Sequence, residues 1–132
     1  MNYVLDSDTI IYFLRGNERV VSKIRSIDVD KLCTTVINQA ELLYGAYNSN
    51  NPNENIKTIT GFLSNIAILG FDSNAARVFG KFKSILRAEG QLITDMDLII
   101  GSIVIDRGLT LVSNNTKHFE RLKNLKLKNW SA

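Results

Sequence analysis

Acidic and amide side chains follow apolar runs at several points of this sequence. The N-terminal run YVL ends on Asp6 and Asp8, Glu41 lies in INQAELLYGA, Asp97 lies in ITDMDLII, and Asn115 follows the run LTLVS. Carboxylates at the end of a buried strand are costly unless a cation, a basic partner or water compensates them. Gathered together, they would offer hard oxygen ligands, which suit Mg²⁺ and also Mn²⁺.

Each acid also has a simpler explanation as a helix cap. Asp8 can cap the helix that follows it. The spacing of Asn38 and Glu41 is that of a capping box, and Thr94 and Asp97 share this spacing. From the residues taken one by one, capping and metal binding both stay open.

The hydrophobic pattern predicts short strands that alternate with helices. The predicted strands are YVL, KLCTTV, IAIL, LTLV and a short LKLKNW. The predicted helices are Thr9–Leu14, Glu18–Ser26, Asn38–Tyr47, Asn55–Ser64, one capped by Asp72 or Ser73 that reaches Ala88, and one capped by Thr94 that runs to Asp106. This alternation indicates an α/β fold with a parallel β-sheet of about four or five strands flanked by α-helices. Reactive sites of such sheets lie beyond the carboxyl ends of the strands, which would bring the acids to one edge.

Carboxylates held close together repel one another, and a bound divalent cation removes that cost. His118 is the only histidine and Cys33 the only cysteine, so zinc is disfavoured. We interpret His118 as an exposed residue of the NTKHF turn and Cys33 as a small core residue. The small residues Ala40, Gly45 and Gly101 near the acids would leave room for a substrate backbone or allow close helix packing.

Composition indicates an ordinary globular chain with a mild basic bias. The 132 residues predict a single domain over 1–132, with 45% hydrophobic and 22% charged residues and a net charge of +3. The absence of a long apolar stretch and of a signal-peptide pattern predicts a cytoplasmic protein with no membrane partner. Basic residues crowd the last quarter, where they could attract a polyanion or form a solvated surface. They are Arg107, Lys117, Arg121, Lys123, Lys126 and Lys128.

The whole chain resembles the PIN-domain ribonucleases, and specifically the VapC toxins of bacterial type II toxin–antitoxin systems. The resemblance is carried, in order, by YVLDSDTIIYFL, INQAELLYGA, FDSNAARVFGKFKSILRAEG and ITDMDLIIGSIVIDRGLTLVSNNTKHFERLKNLKLKNW. It implies a PIN-domain fold for residues 1–132.

The resemblance also implies the roles of the site residues. Asp6, Glu41 and Asp97 would bind the metal, Mg²⁺ or Mn²⁺. Asn115 stands where the family often has a fourth acid, within an Asn114-Asn115 pair. Ser7 and Asp8 stand where the family usually has Thr and Asn, so both would support the site.

The implied activity is metal-dependent endonucleolytic cleavage of RNA, often structured RNA such as tRNA, with 5′-phosphate and 3′-hydroxyl products. The implied partners are a VapB antitoxin that covers the acidic site and a second copy of the toxin in a homodimer. Apolar helix faces are predicted either to supply the antitoxin groove or to belong to the core. These faces carry Ile10, Ile11, Phe13 and Leu14, or Leu42, Leu43 and Tyr47.

Three alternatives remain at this point. Asp6-x-Asp8 is similar to the nucleophile motif of haloacid-dehalogenase phosphatases, although Ile10 stands where that motif has Thr or Val. A receiver-like signalling module would need a lysine after its last strand, which Lys126 and Lys128 match poorly. A PIN domain that binds RNA or antitoxin without cutting is the third, suggested by Asn115.

Overall fold

The computed structural model describes all 132 residues, and its elements alternate as the hydrophobic pattern predicts. The five strands are β1 (Tyr3–Leu5), β2 (Leu32–Thr35), β3 (Ala67–Leu69), β4 (Thr110–Val112) and β5 (Lys126–Lys128). The seven helices are α1 (Ser7–Leu14), α2 (Glu18–Arg25), α3 (Val36–Tyr47), α4 (Pro52–Leu63), α5 (Ser73–Ala88), α6 (Asp95–Arg107) and α7 (Thr116–Phe119). A 3₁₀ turn covers Val29–Lys31.

The strands form one parallel sheet in the order β3-β2-β1-β4-β5. Tyr3 of β1 pairs with Leu32 of β2 on one side and with Thr110 of β4 on the other. The carboxyl ends of β1, β2 and β4 are therefore neighbours, and they form the centre of one sheet edge. The predicted α/β class and parallel sheet are confirmed.

Apolar clusters on the two faces of the sheet hold the helices in place. One cluster joins β1, β2 and β4 to α5, α6 and α7 through residues such as Leu98 and Phe119. The other packs α1 to α4 against Leu5, with Trp130 edge-on to Tyr3 at a centroid distance of 5.1 Å. None of the helices combines the length and apolarity that crossing a membrane requires.

Two of the predicted caps are wrong. The cap of α1 is Asp6, which accepts from the Ser7 amide, so the helix begins at Ser7 and Asp8 lies inside it. The cap of α3 is Thr35, because its hydroxyl accepts from the Asn38 amide, so Asn38 and Glu41 form no capping box. Both helices start earlier than predicted because a polar side chain directly follows or ends the strand.

Of the other predicted helix starts, those of α5 and α6 are confirmed and that of α4 is shifted. Asp72 caps α5 as expected, and the Thr94 hydroxyl accepts from the Asp97 amide at 3.3 Å. Helix α4 begins at Pro52, before the predicted Asn55, since proline is favoured in the first helical turn. Of the small residues near the acids, Gly101 serves helix packing: an added Cβ would lie 2.5 Å from Leu122 Cδ1.

Candidate active site

Asp6 is the centre of the acidic edge. It follows β1, caps α1 and is 6% exposed. Its Oδ1 accepts from the Ser7 amide at 2.9 Å and from Asn38 Nδ2 at 2.8 Å, and its Oδ2 accepts from the Ser113 hydroxyl at 2.7 Å. Residues after three different strands therefore hold this carboxylate in one orientation.

Asn38 joins Asp6 to Glu41. Its side-chain amide donates to Asp6 and, at 2.9 Å, to the Ser7 hydroxyl, which in turn donates to Glu41 Oε1 at 2.8 Å. The Thr35 hydroxyl donates to Asn38 Oδ1 at 2.7 Å and so fixes the orientation of the amide. Asn38 is fully buried with both N–H groups and its oxygen bonded.

Ser113 joins Asp6 to the other half of the site. Its hydroxyl donates to Asp6 and accepts from the backbone N–H of Asn115 at 3.0 Å. The Asn115 side chain then donates from Nδ2 to Asp97 Oδ2 at 3.4 Å. A continuous hydrogen-bonded chain thus runs from Glu41 through Asp6 to Asp97.

Asp8 lies beside this chain. Its Oδ2 accepts from the backbone N–H of Asn114 at 3.0 Å, and its Oδ1 accepts from the Thr9 hydroxyl at 3.2 Å. Asn114 accepts a further hydrogen bond from the Ser131 hydroxyl through its side-chain oxygen. Asp8 therefore ties the loop after β4 to the start of α1.

The environment of the acids disfavours their charged forms. The pKa of Asp6 is raised from 3.8 to about 7, chiefly by burial and also by the nearby charges of Asp8 and Glu41, while its hydrogen bonds from Ser113 and Ser7 act in the opposite direction. Burial also raises the pKa of Asp8. The pKa of Glu41 is raised by burial and then by the charges of Asp97 and Asp8.

No lysine or arginine side chain pairs with this cluster. The ion pairs of lysine residues involve Asp95 and Glu89, away from the site, and the only pairing at the site places His118 Nδ1 3.9 Å from Asp97 Oδ2. No three of the acidic, histidine and cysteine side chains form a preassembled ligand cage. Carboxylates that share raised pKa values without a basic partner are nevertheless suited to an oxygen-binding divalent cation.

A groove of about 450 Å³ begins at this site and runs between α1, α3 and α4. Glu41 lies in its wall together with the apolar side chains of Ile11, Leu14 and Leu42. The two remaining apolar residues of α1, Ile10 and Phe13, face the core, where Phe13 contacts Phe62. Tyr47 is 69% exposed.

The structure thus brings all the predicted site residues into one network and adds others. Asn38 and Ser113 were not predicted as site residues, although Ser113 directly follows β4 and Asn38 lies one helical turn before Glu41 on α3. The prediction of His118 as an exposed turn residue is wrong: it lies on α7, is half-exposed and faces Asn115 and Asp97.

This chain is similar in sequence and in fold to known proteins. The PIN domain family model matches residues 3–125. Ribonuclease VapC2 of Haemophilus influenzae is 36% identical, with 98% of each chain covered. The tRNA(fMet)-specific endonuclease VapC of Shigella flexneri is 31% identical, with 99% of each chain covered. A crystal structure of DNA-bound VapBC from Salmonella typhimurium contains a chain that matches with a TM-score of 0.92 and 28% identity, over 98% of each chain.

The chain therefore belongs to the PIN domain family, and within it to the VapC ribonucleases. This confirms the resemblance seen in the sequence. It also removes the haloacid-dehalogenase phosphatase and the receiver module as alternatives.

Proposed function

We propose that this protein is the toxin of a VapBC toxin–antitoxin system, a Mg²⁺-dependent endoribonuclease that hydrolyses structured RNA such as tRNA. Mn²⁺ would also serve as the metal. The observation that carries the proposal is the hydrogen-bonded chain that gathers Glu41, Asp6 and Asp97 at one sheet edge without a lysine or arginine partner. A relative that is named for action on tRNA(fMet) supports the substrate class.

In this proposal Asp6, Glu41 and Asp97 hold the cation, which when bound would offset the charge of the phosphodiester and make water a better nucleophile. Ser7, Asn38 and Ser113 fix the carboxylates through their hydroxyl and amide groups. Asn115 adds a neutral oxygen where a fourth acid would add charge. Asp8 and Asn114 hold the loop that carries Asn115.

Exposed lysines beside the site would hold the RNA backbone. Lys128 ends β5, and its carbonyl oxygen accepts from the Ser113 amide, so its position is fixed relative to Asp6. Lys126 lies one pleat earlier on the same edge strand and is also exposed. An RNA backbone that runs across the carboxyl ends of the strands would contact both these lysines and the acids.

The groove between α1, α3 and α4 would receive the VapB antitoxin. Its apolar walls at Ile11, Leu14 and Leu42 fit an apolar segment, and Glu41 fits a basic side chain at the end of that segment. The VapBC complex from Salmonella typhimurium supports this kind of partner. A homodimer and a toxin–antitoxin hetero-oligomer are part of the same proposal.

Binding of a cation should stabilise the protein in a pH-dependent manner. We expect Mn²⁺ at about 100 times its Kd to add about 2.7 kcal/mol of stability at pH 8. At pH 5 the gain should be much smaller, because the cation must displace protons from Asp6 and Glu41, whose pKa values are raised.

Thermal unfolding followed with and without Mn²⁺ at the two pH values measures this effect. Asp30→Asn serves as the control and should respond like the parent protein, because Asp30 is exposed and lies just before β2, at the opposite end of the strands from the site. Equal stabilisation at both pH values, or an undiminished gain in Asp6→Asn, would remove these acids from the cation site.

The proposed activity is tested by incubation of the purified protein with total RNA and Mg²⁺, followed by mapping of the product ends. We expect internal cleavage that leaves 5′-phosphate and 3′-hydroxyl ends. Binding of RNA without cleavage, in a protein shown to bind the cation, would support instead the catalytically impaired PIN domain that Asn115 suggests.

A further inference from the structure

His118 contacts the site from α7. Its Nδ1 lies 3.4 Å from Asn115 Nδ2 and 3.9 Å from Asp97 Oδ2, and its side chain is 44% exposed. The backbone that carries it is firmly anchored, because the next residue, Phe119, is fully buried in the core. The amide of Phe119 also donates to the Asn115 carbonyl oxygen at 3.2 Å.

The contacts of Asn115 favour one orientation of its side-chain amide. Nδ2 lies 3.4 Å from both Asp97 Oδ2 and His118 Nδ1. A reversed amide would place Oδ1 against the carboxylate oxygen, where two acceptors would repel each other. With Nδ2 facing it, His118 Nδ1 can pair with Asn115 only as an acceptor, which is the role it has in the tautomer that carries its proton on Nε2.

We propose that His118 is a positioning residue of the nuclease site: through Nδ1 it accepts from Asn115 Nδ2 and holds the Asn115 amide against Asp97. This inference rests on the function proposed above. Without this acceptor the whole Asn115 amide would rotate more freely about its Cβ–Cγ bond and could turn away from Asp97. With both N–H groups bonded, Oδ1 is the acceptor that Asn115 keeps for the reacting groups.

Substitutions of His118 separate this role from a general structural one. His118→Ala removes the acceptor and should lower kcat about 5- to 10-fold with little change in KM, since one hydrogen bond is lost. His118→Asn can place an oxygen at the position of Nδ1 and should restore most of the rate. His118→Gln carries its oxygen one bond further from the backbone and should not.

A double-mutant cycle tests whether the effect passes through Asn115. In an Asn115→Ala background, His118→Ala should have almost no further effect on kcat, because the group that it positions is absent. If the losses of kcat caused by the two single substitutions multiply in the double variant, the residues act independently and the proposal is overturned. A rise in KM with unchanged kcat would also overturn it and would make His118 an RNA contact.

A second readout needs neither RNA nor a cation. The side-chain amide resonances of Asn115, assigned by NMR in the cation-free protein, should shift in His118→Ala and return toward their original positions in His118→Asn. Unchanged resonances in His118→Ala would overturn the proposal even if the protein cleaves RNA. Failure of the unsubstituted protein to cleave RNA, with the resonance shifts as expected, would instead overturn the proposed function.

Discussion

Asp6→Asn should abolish RNA cleavage and at the same time make the cation-free protein more stable at pH 8. The carboxylate is 6% exposed, and its pKa is raised to about 7, so its ionisation opposes folding. The folded state binds more protons than the unfolded state between about pH 4 and pH 7, and stability therefore falls as the pH rises through this window. Asparagine carries no charge and avoids this loss.

The neighbouring groups can accept the substitution. The asparagine oxygen would keep the hydrogen bonds from the Ser7 amide and Asn38 Nδ2, and the Ser113 hydroxyl can rotate to accept from the new amide. We expect a gain of about 2–4 kcal/mol at pH 8 that shrinks toward zero near pH 4. Cleavage should fall by at least about 1,000-fold, since the central ligand is lost.

Chemical denaturation across pH 4–8 in EDTA, with cleavage assayed in parallel, measures both effects. Asp30→Asn is the control for loss of an exposed acid and should follow the parent protein at every pH. A variant that is less stable than the parent at pH 8 would contradict the account of the buried charge, and one that still cleaves RNA would contradict the assigned role.

Asp97→Asn should abolish cleavage with little effect on stability. Its side chain is 18% exposed, and asparagine retains an oxygen that can accept from Asn115 Nδ2. The helix cap is also kept, since the Asp97 backbone amide rather than its side chain bonds Thr94. We expect a loss of activity of at least about 100-fold and weaker cation binding, because one of the three charges is removed.

Asp95 offers a matched control two residues earlier on α6. It is exposed and pairs with Lys83 at 2.9 Å, outside the site. Asp95→Asn should leave cleavage unchanged and lower stability by less than about 1 kcal/mol, as expected for a surface ion pair. Equal loss of activity in both variants would indicate a general effect on α6 and would remove Asp97 from the site.

The fold was predictable because its signals are local. Short apolar runs such as YVL and LTLV mark the central strands, and the caps at Asp72 and Thr94 mark two helix starts. Because the strands are parallel, their carboxyl ends lie at one edge of the sheet, and the site residues lie together there.

The links within the site were not predictable because they join distant residues. Asn38 reaches Asp6 across 32 positions, and Ser113 reaches it across 107. The pattern of Asn38 and Glu41 resembled a capping box, but Thr35 takes the cap and leaves the Asn38 side chain free to bind Asp6. The four residues of α7 are too few for a clear helical period, so the sequence did not predict the contact between His118 and Asn115.

The role of Asp6 in a metal-dependent nuclease site is best measured by RNA cleavage under three conditions: the purified protein in Mg²⁺, the same protein in EDTA, and Asp6→Ala in Mg²⁺, purified in the same way. We expect cleavage in Mg²⁺ that is lost both in EDTA and in the variant. Cleavage that persists in Asp6→Ala at the rate of the parent protein would contradict this role, since the activity would then come from another site or from a contaminating nuclease.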